Sequence, residues 1–126
     1  MSFDMEIEDY MEDLKLNKKC IVTGGAGFIG SHIVDRLIKD GHEVHIIDDL
    51  STGKKENINP KAHFHQRDLS VWNYLDLFEG VDLVFHLACL ARVQPSIEDP
   101  IPYNKVNVDG TLQMLLLADF LKVKKF

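Results

Sequence analysis

Residues 21–30 read Ile21-Val22-Thr23-Gly24-Gly25-Ala26-Gly27-Phe28-Ile29-Gly30, and the order of residue types in that stretch decides the fold. A β-branched run stops at a glycine, glycines recur at 24, 27 and 30, and a helix-period pattern runs from Phe28 to Lys39. Each of these glycines answers a separate need of a phosphate-binding turn. Gly24 permits the tight turn off the strand, and Gly27 omits the side chain that would hold a pyrophosphate away from the helix N-terminus. Gly30 lets helix pack against strand. Such spacing taken alone is weak evidence.

The chain downstream adds weight. A second strand, residues 43–47, ends in Asp48, eighteen residues past Gly30, where an acid accepts both ribose hydroxyls of an adenosine. Asp48 and Asp49 would repel a 2′-phosphate, and no Arg stands in the glycine loop or just after that strand, so NAD is favoured over NADP. Apolar runs at 20–23, 43–47, 62–65 and 82–86 alternate with helix-period segments at 28–39, 71–78 and 100–121. That alternation predicts an α/β fold, a doubly wound parallel sheet covered on both faces. Gly41 is expected to stop the first helix, Ser70 to cap a short helix beginning at Val71, and Asp99 with Pro100 to open the last one. Residues 123–126 (VKKF) read as the start of a fifth strand, at which the sheet is expected to be cut off. The expected division is an acidic leader, 1–17, and a partial dinucleotide-binding domain, 18–126.

Composition narrows the class of partner. The 126 residues carry 14 Lys and Arg against 20 Asp and Glu, a net charge of −6. Six of those acids fall in the first thirteen residues, which leaves 14 − 14 = 0 on the remainder. A neutral body with an acidic leader offers no broad positive surface to nucleic acid or to an anionic membrane. No run approaches the length of a membrane span, and the acidic N-terminus is unlike a secretory signal. Cys20 and Cys89 lack the spacing of a zinc knuckle and the density of a disulfide scaffold, so they read as reduced thiols of a cytoplasmic protein.

Five ordered motifs then carry a resemblance: TGGAGFIGSH (23–32), DDLSTG (48–53), the lone Asp68, FHLAC (85–89) and NVDGT (107–111). Over residues 19–126 the chain resembles the NAD-dependent epimerase/dehydratase family of extended short-chain dehydrogenases/reductases, in its N-terminal, NAD-binding part. The resemblance implies a Rossmann-type sheet and NAD as cofactor. It implies that Gly24, Gly27 and Gly30 shape the phosphate turn, that Phe28 and Ile29 offer backbone amides to the pyrophosphate, and that Asp48, Leu50, Ser51, Thr52 and Gly53 surround the adenosine ribose. Asp68 and Leu69 would flank the adenine, although a helix-capping role for Asp68 competes with that reading. Leu87, Ala88 and Cys89 would lie along the nicotinamide, with Asn107 bracing the helix behind them. In the family the intact enzyme acts on a nucleotide sugar. Residues 92–100 resemble the loop of UDP-sugar 4-epimerases, whereas HLAC is similar to UDP-glucuronate decarboxylases; the epimerase is preferred, with a decarboxylase or dTDP-sugar dehydratase as alternatives.

The family's catalytic Tyr-x-x-x-Lys is missing. Four residues past Tyr10, Tyr74 and Tyr103 stand Leu14, Phe78 and Asn107, and the Ser or Thr expected beyond the fifth strand is absent as well. Two readings from different classes follow: the cofactor-binding part of a nucleotide-sugar enzyme, or a non-catalytic NAD-binding module. His63-x-His65 would place two imidazoles on one strand face, but no third ligand is spaced to complete a site, so no metal is expected. His86 is expected to make a buried hydrogen bond that supports a loop. In the last helix Met114 to Ala118 are apolar all the way round, which predicts self-association through helix 100–121 unless the leader, with Phe3, Ile7, Tyr10 and Leu14 at helical steps, folds over it.

Overall fold

The computed structural model describes Ile7 and residues 17–126; the reading of the leader as an amphipathic helix lies outside the described residues. Four strands, β1 (Lys19–Thr23), β2 (Glu43–Asp48), β3 (His63–Gln66) and β4 (Leu83–His86), form one parallel sheet in the order β3-β2-β1-β4. The order reverses direction at β1, so the crevice between β1 and β4 is the switch point at which open α/β sheets bind ligands. Residues 123–126 run beside β4 as read, with a parallel bridge from Leu83 to Lys125 and the Val84 amide donating to the Lys125 carbonyl at 3.0 Å.

Helix α1 (Phe28–Lys39) buries Gly30, Val34 and Leu37 at steps of four and three, the inward stripe of an amphipathic helix. It covers Cys20, Val22, Val44 and Ile46 on one face of the sheet. Gly41, at φ +90°, ends it as expected: the His42 amide reaches the Leu37 carbonyl at 3.1 Å and the Gly41 amide the Ile38 carbonyl at 3.0 Å. This is the paired closure of a Schellman motif, which needs a left-handed residue at Gly41.

The opposite face carries Ile21, Ile47 and Val84 against Tyr74, Phe78, Met114 and Leu117. Here the structure departs from the sequence reading at several points. The segment 71–78 is not a helix; only Leu75–Phe78 makes a single 3-10 turn. The reason is Asp68, whose Oδ1 accepts from both the amide and the hydroxyl of Ser70, each at 2.8 Å. That local turn competes with helix nucleation, so Ser70 is a partner of Asp68 and not a cap. Residues 93–98, read as loop, form a helix, α2 (Val93–Glu98), with Gln94 donating to Glu98 one turn on at 2.9 Å. The last helical run is three pieces: α3 (Pro100–Asn104), wide π turns over Lys105–Gly110, and α4 (Thr111–Phe120). Pro100 opens α3 as expected, but Asp99 makes no side-chain capping bond.

Because α4 is apolar on all sides, packing and not pattern picks its inward face: Met114, Leu117 and Ala118 are buried, while Leu112, Leu115, Leu116 and Phe120 are exposed. Met114→Ala therefore leaves a cavity and is expected to lower the unfolding free energy by about 2–5 kcal/mol, whereas Leu116→Ala stays within about 0.5 kcal/mol. Urea denaturation of both variants checks the assignment, and an equal loss in the two would reverse it.

Candidate functional site

At the carboxyl ends of the strands lies a cleft of about 470 Å³, a size suited to a small ligand. Its floor is the glycine turn. Gly24 has φ +72°, and a Cβ there would sit 2.9 Å from the Ala88 amide nitrogen, so the turn and the segment leaving β4 touch backbone to backbone. A Cβ on Gly30 would lie 2.1 Å from the Gly24 carbonyl oxygen, which only glycine avoids. Gly27 differs: an added Cβ would meet nothing nearer than the Gly24 oxygen at 3.3 Å. That one contact is close, and no other protein atom outside its immediate neighbours lies within 4 Å of the position. Helical bonding in α1 starts with the Ser31 amide on the Gly27 carbonyl at 3.0 Å, so the helix supplies no acceptor to the amides of Phe28, Ile29 and Gly30. They and the helix dipole make this end favourable to an anion.

Asp48 closes the next wall. Its buried carboxylate accepts from the Ala26 amide through Oδ2 at 3.0 Å and from the Leu50 amide through Oδ1 at 2.8 Å. One bond ties the end of β2 to the glycine turn. The other holds Leu50 in the left-handed region at φ 62°, a conformation that costs a non-glycine residue of order 1 kcal/mol or more. Asp49 turns the chain again by accepting from the Ser51 amide at 2.9 Å, which brings Ser51, Thr52 and Gly53 to the cleft. A Cβ on Gly53 would be 2.8 Å from that of Ala26. The Lys54 amide and the Asn57 side chain both donate to the Ala26 carbonyl at 3.0 Å.

The far wall is Leu69 with Leu87, Ala88 and Cys89. Behind it, Thr23 Oγ1 accepts from the amides of Leu87 and Ala88 at 3.0 and 3.1 Å. Those two bonds occupy its lone pairs, so its proton goes to His86 Nδ1, 2.7 Å away, and His86 Nε2–H donates to Thr111 Oγ1 at 2.8 Å. Burial lowers the His86 pKa below its usual value, which keeps the ring neutral as this pattern requires. The supporting role expected for His86 is what the geometry shows. Asn107 braces the loop after β4, exchanging two bonds of 2.8 Å with the backbone of Leu90.

Thirteen of the fifteen residues singled out from sequence line the cleft. Leu50 does not, serving as the turn on which Asp48 closes, and Asp68 does not, its carboxylate being committed to Ser70. Sequence reasoning missed Arg67 and Arg92, which also line it. Arg67 is engaged by the Asn73 carbonyl and by Asp76 at 3.2 Å; its place one residue past β3, in a parallel sheet whose strand ends share one rim, was the available signal. Tyr74 is fully buried, donates to Gln113 at 2.9 Å and has its pKa pushed up to about 12 by burial, the opposite of a tyrosine base. Strand pairing sets His45 opposite His63, with Glu43 two residues before His45 on the same face, so His63 gathers with Glu43 and His45, a grouping that the spacing of His63 and His65 did not suggest. A larger cleft of about 860 Å³ follows β4 past Leu83, Phe85 and Phe126, but it has neither the glycine turn nor the acid.

Comparison with known proteins agrees with this geometry. The sequence model of the NAD dependent epimerase/dehydratase family matches residues 20–126. A putative UDP-glucose 4-epimerase of Methanocaldococcus jannaschii is 46% identical over 97 residues, 75% of this chain and 32% of that protein. UDP-glucuronic acid decarboxylase 1 of Danio rerio is 40% identical over 105 residues, 82% of this chain and 25% of that protein. The crystal structure of the UDP-glucose 4-epimerase of Thermus thermophilus in complex with NAD superposes with a TM-score of 0.74 at 38% identity, over 83% of this chain and 35% of that one. The chain thus spans about a quarter to a third of the length of the curated relatives it matches. With the glycine turn, the acid after β2 and the four-stranded parallel order all inside the matched residues, the chain belongs to the NAD dependent epimerase/dehydratase family.

Proposed function

We propose that this chain is the NAD-binding part of a nucleotide-sugar enzyme, with a UDP-sugar 4-epimerase as the preferred activity. The observation that carries the cofactor assignment is the glycine turn at the cleft: an added Cβ at Gly27 would meet only the Gly24 carbonyl oxygen, at 3.3 Å, and the Phe28 and Ile29 amides that follow have no acceptor within the helix. The same cleft ends at Asp48, whose oxygens keep lone pairs after holding Ala26 and Leu50. NAD, when bound, supplies a hydride acceptor for a sugar carbon. In this chain the glycine turn and the first amides of α1 would hold the pyrophosphate, Asp48 the ribose, and Leu87 to Cys89 the nicotinamide side. His86 takes no part in proton movement, both its nitrogens being occupied. The Methanocaldococcus relative supports the epimerase; the Danio relative, together with Cys89 in FHLAC, favours a UDP-glucuronate decarboxylase as the second reading.

Among the described residues no helix is long and apolar enough to cross a membrane. We further propose self-association through helix 100–121, supported by the exposed Ile101, Val108, Leu112, Leu116 and Phe120, the last four at steps of four residues, since apolar residues exposed along one helix face mark an interface.

Calorimetry with NAD on the chain and on Gly27→Val is the test of cofactor binding. Gly27 has extended backbone, φ −81° and ψ 175°, which valine adopts, and its Cβ would need the Gly24 carbonyl oxygen, 3.3 Å away, to give by only a few tenths of an ångström, so the variant, checked for native circular dichroism, is expected to fold yet to bind about tenfold or more weakly. Equal heats would sink the assignment. NAD should also slow thiol modification of exposed Cys89, while Cys20, buried and with its pKa raised to about 11 by burial and then by Asp82, stays silent until unfolding. NAD is expected to outcompete NADP by about tenfold, or 1.4 kcal/mol, because Asp48 and Asp49 line the cleft and would repel a 2′-phosphate; tighter NADP binding would overturn that preference. Light scattering should show a mass above that of the monomer, reduced by Leu116→Lys, and a monomer at all concentrations would defeat the association.

A further inference from the structure

Away from the cleft, at the start of β2 and β3, parallel pairing collects a carboxylate and three imidazoles on one sheet face. Glu43 Oε1 lies 2.7 Å from His45 Nε2, and His45 Nδ1 lies 2.9 Å from His65 Nε2. The rings of His45 and His63 are stacked, with centroids 4.6 Å apart and 20° between planes. One ligand atom each from Glu43, His45 and His63 falls within 4.8 Å of the others. We propose that Glu43, His45 and His63 form a binding site for one divalent transition-metal ion of the Zn²⁺, Co²⁺ or Ni²⁺ type, with His65 holding His45 in the ligating orientation.

The chemistry fits that class of ion. Two imidazole nitrogens and one carboxylate oxygen suit borderline transition metals and not Mg²⁺ or Ca²⁺, which take oxygen sets. Zinc bonds of 2.0–2.1 Å place tetrahedral ligand atoms about 3.4 Å apart, so Glu43 and His45 open slightly and His63 swings in by side-chain rotation. Glu43 and His63 are exposed, which leaves entry and the remaining coordination positions to water. When the ion enters between Oε1 and Nε2, the neutral His45 ring releases its Nε2 proton and takes one at Nδ1, a change of tautomer with no net loss of a proton from the ring, so that the Nε2 lone pair faces the ion. The Nδ1–H then donates to His65 Nε2, the outer hydrogen bond that fixes tautomer and ring orientation in histidine metal sites.

The hydrogen bond from His45, and beyond it the charges of His45, Lys19 and His63, hold the Glu43 carboxyl below its usual range. Burial first, then the neighbouring His45, Arg67 and His63, lowers the His65 pKa, against an opposing effect of Asp76. Asp48 stands three residues beyond His45, about 10 Å along the strand. The ion would cross-link β2 to the edge strand β3 without depending on the NAD assignment.

Zinc chloride titrated by calorimetry into the full, untagged chain tests the site. One ion per chain is expected, with affinity reduced roughly tenfold or more in Glu43→Gln and in His63→Gln, both exposed positions whose variants are checked for native circular dichroism. Cys89→Ser should bind as the unaltered chain does. His65→Phe should weaken binding by roughly 10–100-fold, and His65→Gln, whose amide oxygen accepts the same hydrogen bond, should restore most of it. Absence of binding, undiminished binding in both the Glu43 and His63 variants, or loss on Cys89→Ser would each overturn the proposal.

Discussion

The carbonyl oxygen of Gly24 leaves no room for a side chain on residue 30. A methyl group there would lie 2.1 Å away, inside any van der Waals contact, and from that constraint the rest of the site follows. Helix α1 starts hard against the turn that ends β1, its first amides open toward the cleft, and its axis is fixed relative to the sheet by Val34 and Leu37 packing on Cys20, Val22 and Val44. The positive end of the helix is thereby aimed at the rim where β1 and β4 part. Anion affinity at that spot is a consequence of packing, because the amides are left over by the helix and not added for the purpose.

A second constraint joins the other side of the cleft to the core. Thr23, at the end of β1, takes two amides from the chain leaving β4 and passes its own proton to His86, which passes another to Thr111 on α4. Buried polar groups are stabilising when their donors and acceptors are matched, and here Thr23 Oγ1 and both ring nitrogens of His86 each have a partner. The chain of bonds sets the histidine tautomer, and burial keeps the ring neutral. Three elements distant in sequence are held in register by groups that bear no charge, so the wall at Leu87 and Ala88 is rigid without placing a competing charge beside a ligand.

How much of this was legible in the sequence depended on whether the deciding interaction was local. Helix α1 was readable from residue spacing and from Gly41, since both its inward stripe and its stop are properties of a few consecutive residues. The segment 71–78 was misread because Asp68, outside the periodic stretch, captures Ser70 and offers the backbone an alternative to a helix. The phase of α4 could not be read at all: Leu112 to Ala118 are nearly uniformly apolar, and only contact with Ile21, Tyr74 and Leu77 selects Met114 and Leu117. Arg67 in the cleft and Glu43 with His45 beside His63 escaped for a common reason. Their neighbours come from other strands, and a parallel register is set by crossovers that no short window contains.

Asp48 shows why recognition and architecture are hard to separate at this site. A carboxylate has about four acceptor positions and no donor; Ala26 and Leu50 take one position on each oxygen, which leaves one on each for hydroxyls arriving from the cleft. An asparagine of the same shape has a single acceptor oxygen, and either orientation of its amide turns an N–H toward the N–H of Ala26 or of Leu50. One of those buried amides would lose its acceptor, at about 1–3 kcal/mol, and the left-handed Leu50 or the glycine turn would lose its restraint along with it. The acid after β2 is therefore required before any ligand arrives, and its capacity to read a ribose is the part of its bonding that the fold leaves unused.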